Sequence, residues 1–449
     1  MNGENLSKAD SYRKMALVLV ALSLVSYLVK FGFNIFLARY LDKGLYGDFI
    51  IGLKTFTLVS ALLLLGTGTA SKRFLASYLK RSDEKNVVGY LAWNLHLVFI
   101  AGVIFLIFLF ITTLLLMAFH LFDMQRFESY HLAMYMLFIA PLGVIALLFA
   151  SYLQRNNNVY WYSFLIRGAR FWLFSFLFLV ATYFMELALD LPQLWGIILL
   201  AYLILILFES VLLFLRMPRG LLGNTLNALK TKKNKIYDAS WKKTSSHLIF
   251  NQVIFLLLTV IDLYIVEIFD PQEMAVDHYA AVSVISGVIW IIAIGISQFI
   301  APMVSHSLEA GNHKELQKAI DQGNAVNGIV IAIIFSAILS YGQLLLGIFG
   351  PHYLTAASYS ALAIMSLGYF IGTFSGSSVL LLSYSGHEKC LTKISAVELS
   401  TLTILCVILT IRYGIVGAAM ASSISILIKT IYFVRVAKSK LKLKPLSIL

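Results

Sequence analysis

Apolar runs of roughly 18 to 25 residues recur along the whole chain, separated by short polar stretches, and each is long enough to cross the ~30 Å hydrocarbon layer as a helix rising ~1.5 Å per residue. The runs fall at 16–37, 49–70, 91–119, 131–153, 160–183 and 194–214, then at 247–268, 278–301, 325–349, 357–383, 393–411 and 415–436. A membrane β-barrel would instead show short alternating segments, which this chain lacks. The pattern predicts an all-α polytopic membrane protein of about twelve transmembrane helices. The run at 16–37 can span and is not followed by a small-residue cleavage site, so it reads as the first helix rather than a removable signal.

Composition agrees: 60% of the 449 residues are hydrophobic, 13% are charged and the mean hydropathy is +0.85. A water-soluble core cannot hide that much apolar surface. The two cysteines, Cys390 and Cys406, are too few for a disulfide framework and read as packing residues.

Basic residues set the expected orientation, because Lys and Arg in short loops are retained on the cytoplasmic side. Of the 35 Lys and Arg, twenty-six fall in loops and tails on the side of the N-terminus, four on the other side (Arg39, Lys43, Arg126, Arg412), and five inside the spans. Both termini are therefore expected in the cytoplasm. The +13 net charge is read as topology plus attraction to anionic lipid, and no nucleic acid is expected as a partner.

The longest basic connection divides the chain nearly in half. The expected organisation is a six-helix lobe at 1–215, a basic cytoplasmic linker at 216–246, a second six-helix lobe at 247–436 and a basic tail at 437–449. Sliding the sequence by 229 residues lays Tyr12, Arg13 and Lys14 on Trp241, Lys242 and Lys243, and the loop around Lys85 on that around Lys314. Such parallel repeats place a substrate path between the lobes.

Several short motifs then carry a resemblance. Phe36, Leu37, Ala38, Arg39, Tyr40 and Leu41, with Tyr46 and Gly47 just after, resemble the first-loop signature of polysaccharide transporters in the multidrug/oligosaccharidyl-lipid/polysaccharide exporter superfamily. The run Leu65 to Ala70 leading to Arg73, Ala76 and Tyr78 is similar to that family's second-span exit. Pro302 with Ser305, Gly350 with Tyr353, Gly386 with Lys389, and Tyr413 to Ala419 also fit. One departure is Asp42, where the family has glycine. The resemblance implies a flippase or exporter of lipid-linked oligosaccharide in a bacterial inner membrane. It implies two bundles rocking around a central cavity, a polyprenyl-diphosphate-linked cargo, and other glycan-assembly membrane proteins as partners.

Ionisable groups at depth cost about 2.5 to 3.5 kcal/mol each and normally face a partner or a wet cavity. Lys30 and Lys54 share a layer beneath the outer surface, and Tyr27, Lys30 and Asn34 fall on one polar stripe of the first helix with Ser23. In one reading they line the cavity and attract the phosphates of an anionic cargo; in the other the lysines snorkel or neutralise Asp262 on the seventh span. Asp262, with Glu267, is the candidate for a gate or for ion coupling. Arg167 and Arg170 on the fifth span match Glu209 on the sixth in depth, so an ion pair is expected, with a spare arginine left for the cargo's diphosphate. Glu398 and Lys429 are depth-matched on the last two spans and read as a packing salt bridge.

No catalytic or metal-ligating pattern stands out. The histidines lack zinc spacing, and no glycine-rich phosphate loop ends in Lys and Ser or Thr, so no cofactor is expected and energy must come from a gradient. Two other functions stay open. A cation-coupled drug exporter of the same superfamily should carry a carboxylate in the first span, where this chain has Lys30, though Asp262 could serve from the second lobe. A membrane glycan polymerase or glycosyltransferase would need a large outer loop with catalytic groups; here the outer loops are short and hold only isolated acids such as Asp123, Glu128, Glu186 and Asp190.

Overall fold

A computed structural model describes residues 3–119, 132–153, 161, 164–186, 189–217, 220–230, 239–272, 274–309 and 312–441. The elements run α1 (Gly3–Tyr40), α2 (Leu45–Leu63), α3 (Thr67–Lys80), α4 (Glu84–Ala118), α5 (Leu132–Leu153), α6 (Arg170–Leu179, between π-helical turns at Leu165–Ala169 and Val180–Phe184) and α7 (Leu191–Arg216). They continue with α8 (Leu221–Lys230), α9 (Ala239–Leu258), α10 (Ile261–Phe269), α11 (Ala275–Glu309), α12 (His313–Phe349), α13 (Ala356–Thr373), α14 (Gly376–Tyr384) and α15 (Glu388–Leu441). The described residues contain no strand. Helix is the economical answer in hydrocarbon, because it satisfies nearly every backbone amide within its own segment.

Among the described residues nine helices are long and apolar enough to cross a membrane, and α9 with α10, bent by 44° at residues 259–260, makes a tenth if the pair is counted as one broken span. Arg170–Phe184 is a shorter apolar helical stretch. The 54-residue α15 would be about 80 Å long if straight, more than twice the hydrocarbon thickness. It turns instead at Gly414, whose φ of 56° and ψ of −140° suit only a residue without a side chain. The break falls between the runs 393–411 and 415–436. The run 357–383, by contrast, is divided into α13 and α14 by a turn at residues 374–375.

The chain gathers into two compact units, Met1–Gly47 with Leu257–Leu449, and Asp48–Leu256. In the first, α1 packs on α11 and α12, and α13 lies against α11 and α15. In the second, α5 packs on α7, and α3 and α8 lie along α4. Within Asp48–Leu256 the core is aromatic: Phe49 meets Phe178 edge to face at 5.9 Å, and Phe56 meets Tyr202 at 4.5 Å. Since lipid is as apolar as leucine, such packing rather than water exclusion holds the helices together.

Gly414→Ala places a Cβ 2.6 Å from Asp270 Oδ2 in a conformation that costs about 1–3 kcal/mol. The thermal midpoint of the detergent-purified protein should fall by several degrees. Gly196→Ala, whose added methyl meets nothing within 4 Å, should leave it unchanged.

Candidate functional site

Two polar centres stand out, one inside each unit. Within Asp48–Leu256, the chain widens into the π-turn Leu165–Ala169 just before Arg170. Such turns shift the register of the succeeding helix and concentrate at functional sites. Arg170 then lines a small, partly open recess together with Thr57, Ser60, Tyr202 and Glu209. Ser60 Oγ donates to the Ala140 carbonyl at 3.0 Å and Thr57 Oγ1 to the Leu53 carbonyl at 2.8 Å, so both hydroxyls are already engaged as donors. The charged groups are less settled. Glu209 is 1% exposed, and both its Oε2 and the Arg170 Nε are buried without a hydrogen-bond partner. Of the three groups expected to pair here, Arg170 and Glu209 reach one recess; the Arg167 side chain lies outside the described residues. Lys54 is half-buried on α2, one turn from Thr57.

The second centre lies inside the unit formed by Met1–Gly47 and Leu257–Leu449. Asp262 sits in the first turn of α10, directly after the bend at 259–260. Its Oδ1 accepts from the Leu263 amide at 2.9 Å and its Oδ2 from the Tyr279 hydroxyl at 2.9 Å; Tyr279 also lies 3.2 Å from Ser422 Oγ. In this arrangement Asp262 is held by Tyr279 rather than by Lys30. Further along, Lys429 Nζ lies 2.6 Å from Glu398 Oε1 and 5.3 Å from the centroid of the Trp290 ring, a buried pair with an aromatic lid. Glu267 stands on the same short helix as Asp262 and is exposed.

The polar stripe of α1 is put to use within the unit. Tyr27 donates to the Val284 carbonyl at 2.7 Å, and Asn34, 2% exposed, donates to the Lys30 carbonyl at 2.6 Å and accepts from Tyr46 at 3.1 Å. Lys30 itself is half-buried. Tyr27 and Asn34 thus help to fasten α1.

Sequence reasoning passed over Asp277, Tyr279 and Trp290. Asp277 carried a signal, because the 229-residue offset that aligns the two halves lays Asp48 on it, an acid in the first turn of the second span of each half. Tyr279 and Trp290 had none, since nothing distinguishes them from interfacial or packing aromatics until their partners are known.

The architecture matches known transporters. A MatE family model matches residues 248–409, a little over a third of the chain. No curated protein matches. Among solved structures, an inward-facing multidrug resistance MATE family transporter of the MOP superfamily superposes with a TM-score of 0.73 at 13% identity, covering 95% of this chain and 98% of that one. The outward-facing conformation of a MATE family transporter gives 0.68 at 14%, with 96% of each chain covered. A MOP superfamily transporter from Pyrococcus furiosus, described as having a binding pocket of reverse polarity that suggests a different function, gives 0.70 at 13%, again over 96% of each. The chain therefore has the polytopic exporter-superfamily fold.

Removing one member of the buried Glu398–Lys429 pair leaves an uncompensated charge. Lys429→Met should destabilise by about 3–5 kcal/mol, and the double variant Glu398→Leu/Lys429→Met by much less. A double-mutant cycle of Glu398→Leu, Lys429→Met and the double variant, read from denaturation in detergent, checks this; a double-variant loss equal to the sum of the two single losses would show that the pair is not coupled.

Proposed function

We propose that this protein is a transporter that moves an anionic, lipid-linked oligosaccharide across a bacterial inner membrane by alternating access. Transport rather than catalysis is supported by a fold shared end to end with exporters captured both inward-facing and outward-facing. The observation that carries the choice of cargo is the sign of the charge set into the membrane. Lys30 in the first span, Lys54 in the second, and Arg167 and Arg170 in the fifth are all cations, while residues 16–37 hold no carboxylate. Such groups suit phosphates, the arginines through bidentate geometry and the lysines as point charges. The first-loop and second-span motifs resembling polysaccharide transporters support the same cargo.

In this reading both termini are cytoplasmic and the lobes 1–215 and 247–436 alternate about a central path. Arg170 serves the diphosphate on the cytoplasmic side, and Asp262 with Glu267 couples movement to a gradient. The cargo is a polyprenyl-diphosphate glycan delivered by the membrane proteins that assemble it.

The Asp262–Tyr279–Ser422 cluster favours a second reading, a cation-coupled multidrug exporter, because a carboxylate beside a broken helix can take an inorganic cation.

Reconstituted vesicles separate the two. The wild type should translocate a polyprenyl-diphosphate oligosaccharide, and Lys30→Ala, Lys54→Ala and Arg170→Ala should each slow translocation at least fivefold at matched protein levels. Gradient-driven efflux of a fluorescent organic cation should be absent. Efflux of the cation with no glycan movement would replace this reading with the second.

A further inference from the structure

The connection between the two sequence halves carries a helix whose apolar arc is only partly covered. Met217 takes an extended backbone after α7, and Gly220, at a φ of 90°, starts the chain on α8. α8 holds ten residues, about 15 Å of helix, which is roughly half the hydrocarbon thickness and too short to span it. It packs along α4 instead. Leu221 and Thr225 stand one turn apart on α8, each 2% exposed, and Asn224 Nδ2 donates to Glu84 Oε1 at 3.5 Å.

The rest of the arc is open. Leu226 is 56% exposed and Leu229 37%, a pair at i, i+3 beside the buried stripe, whereas Gly223, Asn224 and Asn227 make the polar side. Leucines left open beside a packed stripe mark an interaction surface when a partner of matching chemistry lies within reach. Here one does. Glu84 opens α4 seven residues ahead of the apolar run 91–119, about 10 Å along the helix axis, so its tie to Asn224 sets α8 beside the headgroup layer of the membrane.

Charge narrows the choice of lipid. Residues 216–243 hold eight Lys or Arg against a single acid, Asp238. Of these cations, Arg216 at the end of α7 and Lys242 and Lys243 near the start of α9 are exposed. The start of α9 belongs to the same compact unit as α8. Trp241, fully buried, fastens it there by donating to the Tyr78 hydroxyl at 2.8 Å and meeting the Tyr90 ring edge to face at 5.3 Å. Cations at both ends of the connection therefore stay with α8.

We propose that α8 is a surface-lying membrane helix: Leu226 and Leu229 enter the acyl-chain boundary, and the basic residues of 216–243 hold anionic phospholipid headgroups. An amphipathic helix binds a leaflet through the apolar area it buries and through attraction to anionic lipid, and this connection supplies both. Two leucines give little hold by themselves, so the cations decide the lipid, favouring phosphatidylglycerol over a zwitterionic neighbour. That the leaflet is the cytoplasmic one rests on the orientation proposed above; the lipid contact does not.

The test places a nitroxide on α8 in full-length protein in nanodiscs, with Cys390 and Cys406 replaced by Ser. Labelled Leu226→Cys and Leu229→Cys should be more accessible to dissolved oxygen, which partitions into hydrocarbon, than to a water-soluble nickel chelate. Asn227→Cys, on the polar side, should show the reverse. A second measurement compares the association of spin-labelled phosphatidylglycerol and phosphatidylcholine with the protein. Combined Lys230→Gln, Lys232→Gln, Lys233→Gln and Lys235→Gln should lower the preference for phosphatidylglycerol about fivefold or more. Combined Lys314→Gln, Lys318→Gln, Lys389→Gln and Lys393→Gln, at four exposed basic positions elsewhere in the chain, should leave it nearly unchanged. Free access of the nickel chelate to positions 226 and 229 would show a face left to water or to another protein, and exclusion of both probes would show it covered by protein; either overturns the proposal. An equal effect of the two lysine sets would overturn it too. Nanodiscs offer the same lipids on both faces and no glycan, so these results stand or fall apart from the cargo and the orientation.

Discussion

A backbone amide or carbonyl left unpaired in hydrocarbon costs several kcal/mol, and this constraint governs where the chain is regular and where it departs from helix. Regular helix fills the spans because it meets the constraint locally. Three departures are tied to a compensating group: Asp262 takes the Leu263 amide just past the bend at 259–260, Ser375 Oγ donates to the Gly372 carbonyl at 2.7 Å in the turn between α13 and α14, and Asp277 takes the amides of Gly44 and Gly47 at the start of α2. Gly414 is the exception, since there it is missing side-chain bulk that lets the chain reverse.

The same rule sorts the charges. Glu398 and Lys429 answer one another within 2.6 Å, and Asp262 is answered by Tyr279. The recess in Asp48–Leu256 is different, because Arg170 and Glu209 face one space while each keeps a buried polar atom unsatisfied. Packed structure seldom tolerates such atoms without a role, and polar groups held open inside a membrane bundle mark places that a substrate or ion visits.

The apolar membrane-spanning helices were legible in the sequence because each is a property of a single segment: length and apolar content decide it, and the separation of 393–411 from 415–436 falls where Gly414 turns the chain. Features that depended on two distant segments were harder to read. Depth matching brought Glu398 to Lys429, yet the same reasoning also matched Lys30 with Asp262, and that acid is held by Tyr279 instead. Tyr27 and Asn34 shared a stripe with Lys30, but periodicity tells only that a face is polar, and here the face is fastened to the Val284 carbonyl and to Tyr46. Asp277 escaped because the partners it has at Gly44 and Gly47 are backbone amides more than two hundred residues away, which leave no mark in residue type beyond a glycine. Only the internal repeat pointed to it.

The central claim is an interior that receives a negatively charged, lipid-linked glycan. Native mass spectrometry of the protein, extracted gently from a glycan-producing bacterial membrane, tests this most directly. The expected result is an adduct with the mass of a polyprenyl-diphosphate saccharide that diminishes when Lys30 and Arg170 are neutralised together. Protein that carries only bulk phospholipid, with the same adducts before and after that neutralisation, would contradict it.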